Sequence, residues 1–132
     1  MIKGKALIIF YDEKKRILLQ YRKGSVSKVG EEWGYFGGGI EKGETPEQAV
    51  VRETKEELDF DLKDFKFFKR FEPSAKNYWA DVFVFISPLK DKLKEFRQLE
   101  GDKMAMFTLE DAEKLKIIEG DKEIIKGLRK IL

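Results

Sequence analysis

Residues 38–60 of this chain read GGIEKGETPEQAVVRETKEELDF, and they determine how the middle of the protein folds. The stretch predicts a glycine turn that leads into a helix. Thr45 is a favourable N-cap, Pro46 suits the first helical position, and Gln48 completes a T-x-x-Q capping box. We expect the helix to end near Asp59, because the residues that follow have a strand-like composition.

The predicted helix carries a cluster of charged residues within two turns: Arg52, Glu53, Glu56 and Glu57. Residues three and four apart share one face of a helix, so Glu53 lies beside Glu56 and Glu57. Carboxylates at this spacing repel one another unless a cation joins them, and Mg²⁺ prefers oxygen ligands of this kind. Taken alone, however, an E-x-x-E-E triplet favours a solvated helix face. The flanking residues decide between the two interpretations.

The composition indicates a soluble globular protein, which we interpret as one domain over residues 1–132. Hydrophobic residues make up 42% of the chain and charged residues 39%. The formal net charge is only +2, so we expect no nucleic-acid polymer as a partner. We also expect no membrane association and a cytoplasmic location, because there is neither an apolar run long enough to span a bilayer nor a signal-like start.

Two residue types are missing from the sequence, cysteine and histidine. The chain therefore has no disulfide, no thiol nucleophile and no cysteine–zinc site. It also lacks the most common general base and transition-metal ligand. Catalysis by this chain would depend on carboxylates, lysines, tyrosines, hydroxyls or a bound metal.

The rest of the sequence predicts a mixed β-sheet between helices. Runs that are apolar on both sides indicate strands that are covered on both faces. The predicted strands are 5–11, 16–22, 33–36, 65–71, 78–87 and 104–107, followed by a short helix that ends at Leu115 and an amphipathic helix over 121–132. Residues 23–32 form a predicted polar loop, and the charged connection 89–102 has no clear pattern.

Six residues match the Nudix box, G-x5-E-x7-R-E-U-x-E-E-x-G-U, at the required spacing: Gly38, Glu44, Arg52, Glu53, Glu56 and Glu57. On these residues the chain resembles the Nudix hydrolase family, and within it the MutT-like members. The resemblance implies an α/β fold, the Nudix αβα sandwich with a mixed sheet between helices. Three positions depart from the pattern. Asp59 replaces a glycine, Phe36 a common proline and Gly39 a frequent lysine. Aspartate can adopt a left-handed cap, so the turn after the helix can survive.

The resemblance also implies a reaction, in which water attacks a phosphorus of a nucleoside diphosphate linked to another group. Mg²⁺ or Mn²⁺ would bridge the carboxylates to phosphate oxygens and make a bound water more acidic. Glu53 and Glu57 are the strongest implied ligands. Glu56 would contribute directly or through water, and the carbonyl of Gly37 would be a further ligand.

Other charged residues would support the implied site. By the family pattern, Arg52 forms a forked pair with Glu44, holds the loop against the helix and orients the ligand glutamate. The general base is left open between a glutamate of the box, Glu100 and Glu95, because Nudix enzymes differ in this residue. The alternative interpretation of Arg52 and Glu44 is an ordinary surface ion pair. The alternative for Glu100 or Glu95 is a solvated loop charge.

The sequence constrains the substrate only weakly. Arg22 resembles an arginine that MutT-type enzymes place near the nucleotide, and Gly38 is a further candidate contact. The aromatic residues that could stack on a base are Trp33, Tyr35, Tyr78 and Trp79. A MutT-like nucleoside triphosphate pyrophosphatase, acting on normal or oxidised nucleotides, is the leading hypothesis. The alternatives are an ADP-ribose or nucleotide-sugar pyrophosphatase and a catalytically silent nucleotide-binding module. The attacked phosphorus, the number of metals and the choice between monomer and homodimer stay open.

Overall fold

A computed structural model describes residues 4–23, 33–72, 81–115, 117 and 122–132. Within these ranges the strands are β1 (Lys5–Tyr11), β2 (Arg16–Tyr21), β3 (Trp33–Gly34), β4 (Phe36–Gly39), β5 (Lys66–Phe71), β6 (Val82–Pro88) and β7 (Lys103–Thr108). The helices are α1 (Pro46–Leu58), α2 (Leu109–Lys114) and α3 (Lys122–Ile131), with a short 3₁₀ helix at Lys92–Glu95.

The strands form one mixed sheet around β1. β6 runs parallel to β1, and the other pairings described are antiparallel. β4 and β2 share the second edge of β1, since β4 pairs with residues 5–8 and β2 pairs at Tyr11. β2 then diverges to pair with β3 and β7. Where β2 leaves β1, Gln20 near the end of β2 donates to the carbonyl of Tyr35, just before β4.

Helices cover both faces of the sheet. Side chains alternate along β1, so Ala6, Ile8 and Phe10 pack with α1, whereas Leu7 and Ile9 pack with α3. All five are completely buried, and each of the larger ones contributes about 1.5–3 kcal/mol of burial free energy. The αβα sandwich predicted from the sequence is therefore confirmed.

Glycines 37–39 form a strand instead of a sharp turn, and the glycine turn that leads into α1 lies at Gly43, where φ is 82°. Glycines 37–39 belong to β4 and pair with β1, and a one-residue break at Tyr35 separates β4 from β3. A side chain at Gly37 would collide with the backbone of β1, so the close approach of the two strands requires glycine here. The chain turns later, where the amide of Glu44 donates to the carbonyl of Glu41 at 3.0 Å.

The ends of α1 are those that the sequence predicts. Thr45 is the N-cap with a complete capping box, and Asp59 is the C-cap in the left-handed conformation, with φ 52° and ψ 41°. The amide of Asp59 donates to the carbonyl of Lys55 at 3.0 Å, which closes the last turn. Aspartate thus replaces the expected glycine without loss of the turn.

Two other regions differ from the prediction or extend it. The strand predicted over 78–87 is observed as β6, and Tyr78 and Trp79 lie outside the described residues. The charged connection 89–102 contains the 3₁₀ helix. Among the helices in the described ranges, none is both long and apolar enough to cross a bilayer.

Candidate functional site

The start of α1 fixes the direction of its charged side chains. The hydroxyl of Thr45 accepts from the amide of Gln48 at 3.1 Å, and the Gln48 side chain accepts from the amide of Thr45 at 2.9 Å. This reciprocal cap satisfies two backbone donors at the helix end. Ala49 and Val50 are fully buried against the sheet. Because one face of α1 is held in this way, its acidic residues lie against the ends of β2 and β4.

Arg52 joins α1 to the loop that precedes it. Its Nε and Nη2 donate to the two oxygens of Glu44 at 2.8 and 2.9 Å, and Nη2 also donates to the carbonyl of Gly39 at 2.9 Å. Its Nη1 donates to Glu53 at 3.0 Å and lies 3.3 Å from both oxygens of Glu56. The hydrogen bonds from Arg52 are the main reason that the pKa of Glu44 falls to about 2. The forked pair that the resemblance implies is therefore present.

Two glycines of β4 let the strand lie against the acidic face. A Cβ atom on Gly38 would lie 2.5 Å from Oε1 of Glu53, so glycine leaves room for that carboxylate. Burial is the main reason that the pKa of Glu53 is raised. Gly37 has φ of 132°, and its amide donates to Oε1 of Glu57 at 2.7 Å. Gly37 thus meets the cluster through its amide, and a ligand role for its carbonyl stays a prediction.

Glu57 is a buried carboxylate with neutral partners. It is 3% exposed, and its second oxygen accepts from Nε2 of Gln20 at 3.3 Å. Among the described residues no lysine or arginine forms an ion pair with Glu57, because Arg52 pairs with other glutamates. Burial raises the pKa of Glu57 to about 8, with additional contributions from the charges of Glu53 and Glu100. The site therefore holds a carboxylate that lacks a counter-charge.

The loop before β7 brings Glu100 to the cluster. The amide of Leu99 donates to the carbonyl of Glu57 at 2.8 Å, and the amide of Asp102 donates to the carbonyl of Tyr21 at 2.8 Å. These bonds tie the two sides of Glu100 to the end of α1 and to the end of β2. The Glu100 side chain is exposed, so it faces solvent beside the buried carboxylates.

Comparison with known proteins identifies the family. The family model of the NUDIX domain matches residues 1–128. The chain belongs to the Nudix family. As a Nudix pyrophosphohydrolase it is an enzyme that acts on phosphorus anhydride bonds. No curated protein matches it significantly by sequence.

Several solved structures resemble this Nudix domain along almost its whole length. A structure from work on MutT of Aliivibrio salmonicida and Vibrio cholerae has a TM-score of 0.70 and 19% identity, covering 98% of this chain and 97% of the other. The NUDIX domain of Shewanella oneidensis NrtR, in complex with ADP ribose, has a TM-score of 0.73 and 16% identity over 98% and 87%. The Escherichia coli dihydroneopterin triphosphate pyrophosphohydrolase has a TM-score of 0.70 and 19% identity over 97% and 93%. At these low identities, the structural likeness shows a shared fold and nothing more.

The chemistry of the Nudix box in this chain fits a divalent cation. In the described residues no three acidic side chains already converge as a metal cage. The available donors are nevertheless carboxylate oxygens, which Mg²⁺ and Mn²⁺ accept. Burial raises the pKa of both Glu53 and Glu57, and a nearby cation would favour their charged forms. The third glutamate, Glu56, has a side chain that is 51% exposed, and its contact is with Nη1 of Arg52 at 3.3 Å.

The structure brings together most of the residues that the Nudix resemblance selects: Gly37, Gly38, Glu44, Arg52, Glu53, Glu56, Glu57 and Glu100. Arg22 is exposed just beyond the end of β2, and Glu95 is exposed at the end of the 3₁₀ helix. Sequence reasoning missed Gln20. The available signal was a polar residue in the otherwise apolar segment ILLQY.

Proposed function

We propose that this Nudix domain is a metal-dependent pyrophosphatase of nucleoside triphosphates, including oxidised deoxynucleotides, in the manner of MutT. The proposed cofactor is Mg²⁺ or Mn²⁺. Glu53, Glu56 and Glu57 would hold it, and the carbonyl of Gly37 would assist. The proposed nucleotide contacts near the metal are Gly38 and Arg22, and Tyr78 and Trp79 are proposed to stack on the base.

One observation carries the metal proposal, and it is the environment of Glu57. Both of its oxygens are held by neutral donors, and burial raises its pKa to about 8. The arginine of the site pairs instead with Glu44, which keeps that carboxylate ionised. A buried acid held in one orientation beside a second partly buried acid is a favourable place for a hard cation.

The chain's own residues have separate roles in the proposed reaction. When bound, the cation would neutralise phosphate charge and increase the acidity of a water. Arg52 holds Glu53 through a charge-assisted hydrogen bond and fixes the loop through Glu44. Glu100 is the proposed general base, because it is exposed beside the buried acids. It would take a proton from water as the water oxygen bonds to phosphorus and the bridging P–O bond breaks.

The substrate class is the finer part of the proposal. Likeness to MutT and to the dihydroneopterin triphosphate pyrophosphohydrolase supports a triphosphate. Likeness to the NrtR NUDIX domain bound to ADP ribose supports the second candidate, an ADP-ribose or nucleotide-sugar pyrophosphatase. A silent nucleotide-binding module is less well supported, since the chain retains every glutamate of the box.

A substrate screen tests the proposal. Purified protein is incubated with Mg²⁺ or Mn²⁺ and with dNTPs, 8-oxo-dGTP, ADP-ribose, nucleotide sugars or dinucleoside polyphosphates. We expect hydrolysis of a nucleoside triphosphate, and the products identify which phosphoanhydride linkage is cleaved. Release of pyrophosphate indicates cleavage between the α- and β-phosphates, whereas release of phosphate indicates cleavage between the β- and γ-phosphates.

Two glutamine variants of α1 make the screen specific. Glu57→Gln is expected to lower kcat at least about 100-fold, because the substitution removes the charged ligand. Glu47→Gln is the matched control, since Glu47 is an exposed glutamate of the same helix. Full activity of Glu57→Gln would overturn the ligand assignment. Nucleotide binding without hydrolysis of any compound would favour the silent module.

A further inference from the structure

We infer that Gln20 is a positioning residue, which holds the carboxylate of Glu57 in the orientation required for cation binding. The inference rests on the proposed function. It concerns a residue of β2, a strand that precedes the Nudix box in the chain.

The hydrogen bonds of Gln20 fix its orientation. Its Nε2 donates to the carbonyl of Tyr35 at 3.1 Å and to Oε2 of Glu57 at 3.3 Å. The carbonyl of Tyr35 can only accept, so the amide nitrogen must face it and the two ends of the amide cannot be exchanged. The Tyr35 carbonyl, in the break between β3 and β4, thus holds Nε2 beside the carboxylate.

Gln20 completes a clamp on Glu57. The amide of Gly37 binds one carboxylate oxygen and Gln20 binds the other. Two donors on different strands prevent the carboxylate from rotating about its last bond. Hydrogen-bonding partners that orient metal-binding carboxylates typically change metal affinity or activity by about 10–100-fold when they are removed.

The other end of the Gln20 amide argues against a purely stabilising role. Gln20 is 7% exposed, and its Oε1 has no hydrogen-bond partner among the described residues. This oxygen lies beside Gly101, where a Cβ atom would come within 2.8 Å of it. A buried acceptor without a partner destabilises the fold. An apolar side chain of the same length would avoid that cost, yet it could not hold the carboxylate.

The experiment compares Gln20→Met with wild type and with Gln98→Met. Methionine has nearly the same length as glutamine but cannot donate. Gln98 is the matched control, because its side-chain nitrogen also lies beside Gly101 but donates to the carbonyl of Lys103 instead of a carboxylate. The readouts are the Mn²⁺ dissociation constant, from electron paramagnetic resonance of the nucleotide-free protein, then kcat and KM, and the urea midpoint.

We expect Gln20→Met to raise the Mn²⁺ dissociation constant about tenfold or more and to lower kcat, with KM for the nucleotide and the urea midpoint close to wild type. Gln98→Met should leave all four unchanged. If Gln20→Met does not fold, Gln20→Asn is measured instead, because its amide is one methylene too short to reach Glu57.

The outcomes separate this inference from the proposed function. A wild-type protein that neither binds Mn²⁺ nor hydrolyses nucleotides overturns the proposed function. Suppose that wild type binds Mn²⁺ and hydrolyses nucleotides. A folded Gln20 variant with the same Mn²⁺ affinity and kcat then overturns the positioning role alone. A loss of stability that accounts for the whole loss of activity overturns it as well.

Discussion

The metal-free protein should lose stability as the pH rises from about 5 to 8, and Glu57→Gln should remove most of that loss. The ordinary pKa of Glu57 is 4.5, and burial raises it to about 8 in the folded chain. Between these values the folded state retains a proton that the unfolded state has released. Each step to higher pH therefore favours unfolding. Below the lower value both states are protonated, and the penalty is absent.

The magnitude follows from the same two values. One pH unit corresponds to about 1.4 kcal/mol, so a rise from 4.5 to about 8 corresponds to a loss on the order of 5 kcal/mol by pH 8. This is an upper limit, because water and the surrounding loop can relax around the charge. Even half of it is a large share of the roughly 5–15 kcal/mol that stabilises a typical domain. Glutamine at position 57 keeps the size of the side chain and cannot ionise.

The assay is urea unfolding in a chelator from pH 5 to 9, monitored by tryptophan fluorescence. The chain has no histidine, so few side chains other than the buried glutamates titrate in this range. Glu47→Gln is again the matched control and should follow wild type. Saturating Mn²⁺ should restore the stability at pH 8, because a cation that binds only the folded chain stabilises it. Parallel pH profiles for wild type and Glu57→Gln would show that the buried carboxylate is not the cause.

Two further predictions concern the residues around the buried acids. Arg52→Lys should lower the free energy of unfolding by about 1–2 kcal/mol in urea denaturation, because one ammonium cannot reproduce the parallel bonds to Glu44 and the bond to the carbonyl of Gly39. Wild-type stability of this variant would show that the fork does not hold the loop. Glu100→Gln should lower kcat at least about 100-fold at unchanged Mn²⁺ affinity, whereas Glu95→Gln should not. The reverse result in steady-state kinetics would assign the base to Glu95.

Local chemistry made much of the fold predictable. The capping box at Thr45 and the left-handed cap at Asp59 depend on residues within a few positions, and both ends of α1 were predicted correctly. β1 was predicted correctly because its apolar residues occupy both faces of the strand. The strand formed by glycines 37–39 was not predicted. Their extended pairing depends on contact with β1, about 30 residues earlier in the chain, which no local pattern reveals.

The candidate site shows the same division between local and distant information. The forked pair of Arg52 and Glu44 follows from a fixed spacing across one loop and one helix. The contact of Gln20 with Glu57 joins residues 37 positions apart and depends on where β2 leaves the edge of β1. The attachment of the Glu100 loop to the end of α1 is equally distant. Spacing therefore predicts which acids cluster, whereas the sheet determines which acid is buried.

The different environments of Glu44 and Glu57 are the strongest physical argument for a cation site. The two residues have the same side chain, yet hydrogen bonds from Arg52 lower the pKa of Glu44 to about 2, and burial raises that of Glu57 to about 8. An arrangement that served stability alone would place the arginine beside the buried acid, where an unpaired charge destabilises most. Here the arginine secures the loop, and the buried acid has two neutral donors that hold it without neutralising it. Such an acid becomes fully ionised near neutral pH only when a positive charge arrives from outside the chain, so ionisation of Glu57 and cation binding should occur together.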